Sequence, residues 1–129
     1  MTEQITKREE RITIMELLYS YDLNNEFILL QPLDDYTDYV TDTTNYITTH
    51  LSEIDEIISA SLTNYTINRL SYVDRAIIRL ATAEMLQGLA KTIAINEALE
   101  IVKLYSDVGD GTAVRFVNKV LDTVSKKIS

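Results

Sequence analysis

The stretch LSYVDRAIIRLATAEMLQG, residues 70–88, decides the fold of this chain. Ser71 stands three positions before Asp74, as in a helix capping box, and Gly88 supplies a helix stop, so the sequence predicts a helix over about residues 72–87. Most of that helix is apolar around its circumference, with Ala76, Ile77, Leu80, Ala81 and Leu86 on several sides and Glu84 among them. A helix with so little polar surface is expected at the centre of a helical bundle.

Two further helices follow this segment. Thr92 is the predicted cap of a helix over IAINEALEIVKLY, residues 93–105. The run SDVGDG, residues 106–111, predicts a turn, and Thr112 is the predicted cap of a last helix that continues to about Lys127. These helices place the second half of the chain in an all-helical arrangement.

The first half of the chain has the same character but weaker punctuation. Apolar spacing predicts a first helix over about residues 4–22 and a loop from residue 24 to residue 35, which contains Pro32. Further helices are predicted near residues 35–48 and over LSEIDEIISASLTNY, which begins at Leu51. Because the chain has only three glycines and one proline, we expect an all-α fold.

Length and composition describe the class of protein. A chain of 129 residues with 46% hydrophobic content suits one domain over residues 1–129. The absence of cysteine excludes disulfides, thiolate zinc sites and cysteine nucleophiles, and it fits a reducing compartment. No stretch approaches the roughly 20 apolar residues of a membrane span, so we expect a cytoplasmic protein without membrane association.

Charge is distributed unevenly. The formal net charge is −8, yet residues 22–66 hold nine Asp and Glu and no Lys or Arg, whereas residues 67–129 hold nine Lys and Arg against seven Asp and Glu. The acidity therefore lies in the middle of the chain. A basic surface built jointly by the two ends remains compatible with this composition.

The sequence contains no catalytic or metal-binding pattern. His50 is the only histidine and has no neighbouring nucleophile motif, which favours an exposed histidine at a helix end. Glu97 and Glu100 lie three positions apart but lack the second acidic helix of a dimetal site, so they are interpreted as a surface edge. No glycine-rich phosphate-binding motif is present. We expect neither an enzyme nor a protein with a metal or cofactor.

Two clusters of basic residues are the remaining features. In TKREERI, residues 6–12, three basic side chains lie within five positions. On the last helix a charged stripe recurs at intervals of four, three and four, opposite an apolar stripe formed by Val117, Leu121, Val124 and Ile128. The charged stripe consists of Arg115, Lys119, Asp122 and Lys126. Spacing alone leaves two interpretations open, a solvated helix face or a surface for nucleic acid.

The chain resembles the NusB family of bacterial transcription antitermination factors almost from end to end, and four segments carry the resemblance. They are LLYSYDL (17–23), LSYVDRAIIRLATAEM (70–85), TIAINEALEIVKLY (92–105) and FVNKVLD (116–122). The combination of AINEALE with FVN-x-VLD near the end of a short helical chain makes the resemblance specific.

The resemblance implies a fold and a function. The fold is a compact domain of six to seven helices in two packed small bundles. The function is to bind boxA, a single-stranded RNA element of nascent and chiefly ribosomal transcripts, together with NusE, a protein of the small ribosomal subunit. That assembly helps RNA polymerase pass terminators, and it requires no catalysis or cofactor.

The same resemblance implies roles for particular residues. The basic N-terminal motif of the family falls on Lys7, Arg8 and Arg11, and two further RNA or complex contacts fall on Tyr19 and Asp122. Glu84 falls at a glutamate expected near the NusE surface. Arg115 and Lys119 would add phosphate contacts on the last helix. The chemistry is compatible, because aromatic rings stack on unpaired bases and a carboxylate accepts from base amino groups.

The chain also departs from the family pattern. Glu9 and Glu10 stand within the basic motif and are expected to weaken its attraction for phosphate. Lys119 replaces a glycine usual in the family, which adds charge but also bulk at a place where a partner backbone could approach. The alternative function is therefore a NusB-like module that binds protein, through its acidic middle or as a homodimer, with little RNA binding of its own.

Overall fold

Helix α4 (Tyr72–Leu86) forms where the capping pattern predicts it. The Ser71 hydroxyl accepts a hydrogen bond of 3.1 Å from the backbone of the first turn. At the other end Gly88 has φ of 99°, and the N–H of Leu89 donates to the Glu84 carbonyl at 2.9 Å. This is a Schellman-type ending, which needs a residue that tolerates positive φ and so explains the glycine.

The structure is a computed structural model that describes residues 5–128. This part of the chain contains six α-helices and two short 3₁₀ turns. Besides α4, the helices are α1 (Lys7–Asn24), α2 (Asp38–Thr49), α3 (Leu51–Ser61), α5 (Lys91–Tyr105) and α6 (Thr112–Lys127). The 3₁₀ turns span Leu33–Asp35 and Ile67–Arg69. No strand occurs in this part of the chain, and the all-α prediction is confirmed.

The central position predicted for α4 is also confirmed. All ten residues from Ala76 to Met85 are buried, and α4 packs against each of the other five helices. The N-terminal helices α1 and α2 pack together on α4, while α5 and α6 pack together on it from the C-terminal half and α3 also reaches α6. The apolar stripe predicted for α6 lies in this core, since Val117, Leu121 and Val124 are fully buried.

Several predicted boundaries were wrong. Helix α5 begins at Lys91, so Thr92 lies inside the helix and caps nothing. Thr112 is the first residue of α6 rather than its cap, because Asp110 supplies the capping carboxylate to the Thr112 N–H at 2.9 Å. Helix α2 starts at Asp38, three residues later than predicted, since Thr37 caps it.

The start of α1 also differs from the predicted one. Thr6 caps this helix by accepting from the Glu9 N–H at 3.1 Å, so helical structure begins at Lys7. The predicted start near residue 4 lies outside the described residues. None of the helices in residues 5–128 has the length and hydropathy needed to cross a membrane.

Candidate nucleic-acid interface

The charged stripe of α6 projects from the core as its spacing predicts. Arg115, Lys119 and Asp122 are exposed on the side opposite the buried apolar residues. Within the described part of the chain, the Lys119 ammonium has no hydrogen-bond or ion-pair partner, whereas Asp122 pairs with Lys126 at 3.1 Å. The stripe thus presents positive charge beside one hydrogen-bond acceptor, a combination suited to phosphate and base contacts.

The loop before α6 fixes the first turn of that helix. The Asp107 carboxylate accepts from the backbone N–H groups of Gly109, Gly111 and Val114 at 2.7, 3.1 and 3.2 Å. Those bonds, led by the one from Gly109, hold the pKa of Asp107 below its ordinary value. Gly111 has φ of 78°, and a Cβ there would lie 2.9 Å from Nη1 of Arg115. The positive φ explains this glycine, since the Arg115 guanidinium is the flexible end of a long side chain and can move away from a Cβ.

Replacing Asp107 by asparagine should lower the thermal unfolding midpoint at neutral pH, because an amide has one acceptor oxygen in place of two charged ones. A carboxyl group with a lowered folded-state pKa contributes stability above its unfolded pKa of about 3.9, and that contribution disappears as pH falls toward the folded value. The difference in unfolding midpoint between wild type and variant should therefore become smaller at acidic pH. Scans at several pH values check this, with exposed Asp42→Asn as control. A gap that does not change with pH would contradict it.

The basic N-terminal motif is tied to carboxylates from distant parts of the chain. Lys7 lies 3.4 Å from Glu10 and 3.6 Å above the ring of Tyr39. Arg8 donates to both carboxylate oxygens of Glu97 on α5, with Nη2 at 3.1 Å and Nε at 3.4 Å. We expected Glu9 and Glu10 to neutralise part of the positive charge of this motif. In the structure Arg8 is instead paired with Glu97, which lies outside the motif.

Arg11 and Glu84 contact each other in the interior. Both side chains are more than nine-tenths buried, and Nε of Arg11 lies 2.9 Å from Glu84 Oε2 and 3.0 Å from Oε1. The hydroxyl of Tyr39 also donates to Glu84. Burial, followed by this hydrogen bond to a carboxylate, raises the pKa of Tyr39. Neither Arg11 nor Glu84 offers a free charge to a partner in this arrangement.

Tyr19 borders an apolar groove of about 480 Å³ on the outer side of α1. Tyr19 is 37% exposed, and its ring meets that of Tyr72 edge-to-face with centroids 6.0 Å apart. Val73 and Tyr105 line the same groove, together with Leu30 from the loop between α1 and α2. Residues 12–68 contain no Lys or Arg, so the flank of the groove made by α1 and this loop carries only negative charge.

The predicted residues therefore occupy three places rather than one. Lys7, Arg8 and Arg11 lie at the start of α1 beside α4 and α5, Tyr19 lies farther along α1, and the stripe lies on α6. Sequence reasoning missed Tyr39 and the contact made by Glu97. It had no signal for them, because Glu97 is 89 positions from Arg8.

His50 has a local structural role. It lies half-buried at the junction of α2 and α3, stacked on Tyr46 with ring centroids 4.1 Å apart. Its Nδ1 lies 2.9 Å from the Tyr46 carbonyl oxygen. In residues 5–128 no three His, Asp or Glu side chains are grouped as a metal site.

Comparison with known proteins identifies a family that covers most of the chain. A model described as the NusB family matches residues 8–126. The transcription antitermination protein NusB of Clostridium botulinum is 36% identical, with 95% of this chain and 100% of that protein covered. The corresponding protein of Helicobacter hepaticus is 34% identical over 94% of this chain and 82% of its own length.

Solved structures agree with this. A NusB structure from T. maritima superposes with a TM-score of 0.81 and 29% identity, covering 98% of this chain and 94% of that one. A complex of the antitermination factors NusB and NusE with double-stranded RNA gives a TM-score of 0.76 at 29% identity, covering 94% of this chain and 96% of that one.

Proposed function

This chain belongs to the NusB family, and on that basis we propose that it is a transcription antitermination factor that binds boxA RNA together with NusE. The observation that carries the proposal within the molecule is the exposed stripe of α6, where Arg115 and Lys119 face solvent beside Asp122. The setting of this activity would be the antitermination complex of RNA polymerase on nascent ribosomal transcripts. No step in it requires a catalytic group or a cofactor.

RNA and protein partners would use different surfaces. The α6 stripe and the exposed Lys7 and Arg8 supply positive charge for phosphate. The groove bordered by Tyr19 is apolar and has an acidic flank, which suits a protein partner with an apolar surface edged by basic residues, and we assign this groove to NusE. Tyr19 is therefore proposed as a contact to the protein partner.

The two buried members of the predicted set take an indirect role. Arg11 and Glu84 satisfy each other's charge, so we assign them to holding the start of α1 on α4. Lys7 and Arg8, which are exposed, remain the contacts proposed for the N-terminal motif.

The double replacement of Arg115 and Lys119 by glutamine should weaken RNA binding on the order of tenfold at moderate salt, because two phosphate contacts are lost. The slope of log affinity against log salt should become shallower by about 1.4, or roughly 0.7 for each contact to a single strand. Fluorescence anisotropy with labelled boxA-like and scrambled RNA measures both quantities. The matched control is the pair Arg69→Gln and Lys103→Gln, which removes two cations from other elements.

The same titrations decide between the two candidate functions. RNA binding that is selective for boxA and tightens when NusE is added supports antitermination, and a double-stranded boxA arm tests the RNA form found with the relative. The apolar groove with its acidic flank favours the second candidate, a module that binds protein alone. NusE binding with no affinity for either RNA would establish that second function instead.

A further inference from the structure

Glu97 is the ion-pair partner of Arg8, the exposed arginine of the N-terminal motif. The contact between Arg8 and Glu97 uses two donors and two acceptors, and the side chains are 44% and 25% exposed. A carboxylate with two oxygens matches the planar guanidinium fork in the same way as the two free oxygens of a phosphodiester. Arg8 therefore cannot give its full fork to Glu97 and to RNA at the same time.

The neighbouring arginine shows why Arg8 is the one that can be released. The side chains of Arg11 and Glu84 are 7% and 2% exposed, so RNA cannot reach them without movement of α1 away from α4. Glu97 reaches Arg11 only with a longer contact of 3.5 Å. Loss of its charge would leave Arg11 with Glu84 as its main partner, while Arg8 would lose the carboxylate partner found in the described structure.

We propose that Glu97 is an internal competitor of RNA at the N-terminal motif, holding the Arg8 guanidinium in the free protein and giving it up to a phosphate on binding. The inference rests on the proposed RNA-binding function and deepens it, because it names a residue outside the basic clusters that sets their affinity. Glu97 opposes binding in two ways. It must be separated from Arg8, and its charge then stands near the RNA backbone.

The test is Glu97→Gln, which removes the charge and keeps the shape of the side chain. The affinity for labelled boxA-like single-stranded RNA should rise by about twofold to fivefold, the range that corresponds to the coupling of an exposed ion pair. The salt slope should stay close to that of wild type, because Arg8 contacts a phosphate in both complexes. Scrambled RNA should show the same relative gain, because a phosphate contact carries no sequence information.

Two further variants identify the cause. Glu56→Gln removes one negative charge from an exposed position on α3 and should leave the affinity close to wild type, which separates the local contact from the change in net charge. In the Arg8→Gln background, Glu97→Gln should give a smaller gain than in wild type, because the competed donor is absent and only the repulsion between Glu97 and the RNA backbone is removed. Unfolding midpoints of all variants, measured in the same buffer, verify that folded proteins are compared.

The outcomes separate this inference from the function on which it rests. RNA binding by wild type with no gain in Glu97→Gln, or with an equal gain in the Arg8→Gln background, overturns the inference and leaves the proposed function in place. No RNA binding by wild type or by Glu97→Gln overturns both. Binding that appears only in Glu97→Gln supports competition by Glu97 and shows that wild type alone is held in an inhibited state.

Discussion

Replacing Arg79 by alanine should lower the free energy of unfolding by about 3 kcal/mol, because it leaves two carboxylates without their shared cation in a largely buried place. Arg79 is 6% exposed and lies on the central helix. Its Nη1 donates to Asp22 of α1 at 2.9 Å, while Nε and Nη2 donate to the two oxygens of Asp55 of α3 at 2.9 and 2.8 Å. One side chain thus joins three helices.

The expected loss of unfolding free energy lies at the lower end of the range for breaking a buried ion pair, for two reasons. The Asp55 side chain is 26% exposed, so water replaces part of the lost contact. Asp22 also retains Arg75, whose Nη1 lies 3.8 Å away. A loss of this size corresponds to a drop in the thermal midpoint of roughly 10 °C for a domain of this length.

Chemical denaturation and thermal scans measure the effect. Arg79→Lys should fall between wild type and Arg79→Ala, because an ammonium keeps the charge but cannot bridge two carboxylates with a planar fork. Arg69→Ala is the control, since Arg69 is exposed and outside any ion pair of residues 5–128. A loss in Arg79→Ala no greater than in Arg69→Ala would show that the three-helix contact adds nothing to stability.

Local patterns predicted most of the fold. The breadth of the apolar surface of α4 predicted a central helix, and Ser71 and Gly88 mark its ends in the structure as they do in the sequence. The predicted caps Thr92 and Thr112 failed for a physical reason. Threonine is tolerated inside the first turn of a helix, and at α6 the carboxylates of the preceding loop satisfy the free N–H groups instead.

The candidate interface was less predictable, because its contacts are between residues far apart in the chain. The α6 stripe follows from helical periodicity alone, and it is exposed as that periodicity requires. Arg11 belongs to a polar cluster in the sequence, yet it is enclosed by Glu84, which lies 73 positions away on α4. Charge counted along the chain indicates only the effect of Glu9 and Glu10 on the basic motif, whereas the structure adds the carboxylates of Glu84 and Glu97.

Replacing Glu84 by methionine should cost about 3 to 5 kcal/mol of unfolding free energy, because Arg11 would remain charged in the interior with only the distant contact to Glu97. Arg11→Met should have a similar cost for the opposite reason, the unpaired Glu84 carboxylate. The double variant should be far more stable than the sum of the two losses predicts, with a coupling energy of about 2 kcal/mol or more, since two apolar side chains then pack where the ion pair was.

This cycle also separates a structural role from direct partner contacts. If Arg11 and Glu84 act by holding α1 on α4, the double variant should regain RNA affinity and much of the lost stability, because it restores the packing without either charge and loses only the acceptor of the Tyr39 hydroxyl. If Arg11 instead contacts RNA and Glu84 contacts NusE, as the family resemblance implies, the double variant should refold well and still bind both partners weakly. Denaturant unfolding and RNA and NusE titrations on the same four proteins distinguish these results. The burial of both side chains leads us to expect the first, because a guanidinium 7% exposed and bonded to a carboxylate 2% exposed presents almost no surface to a ligand.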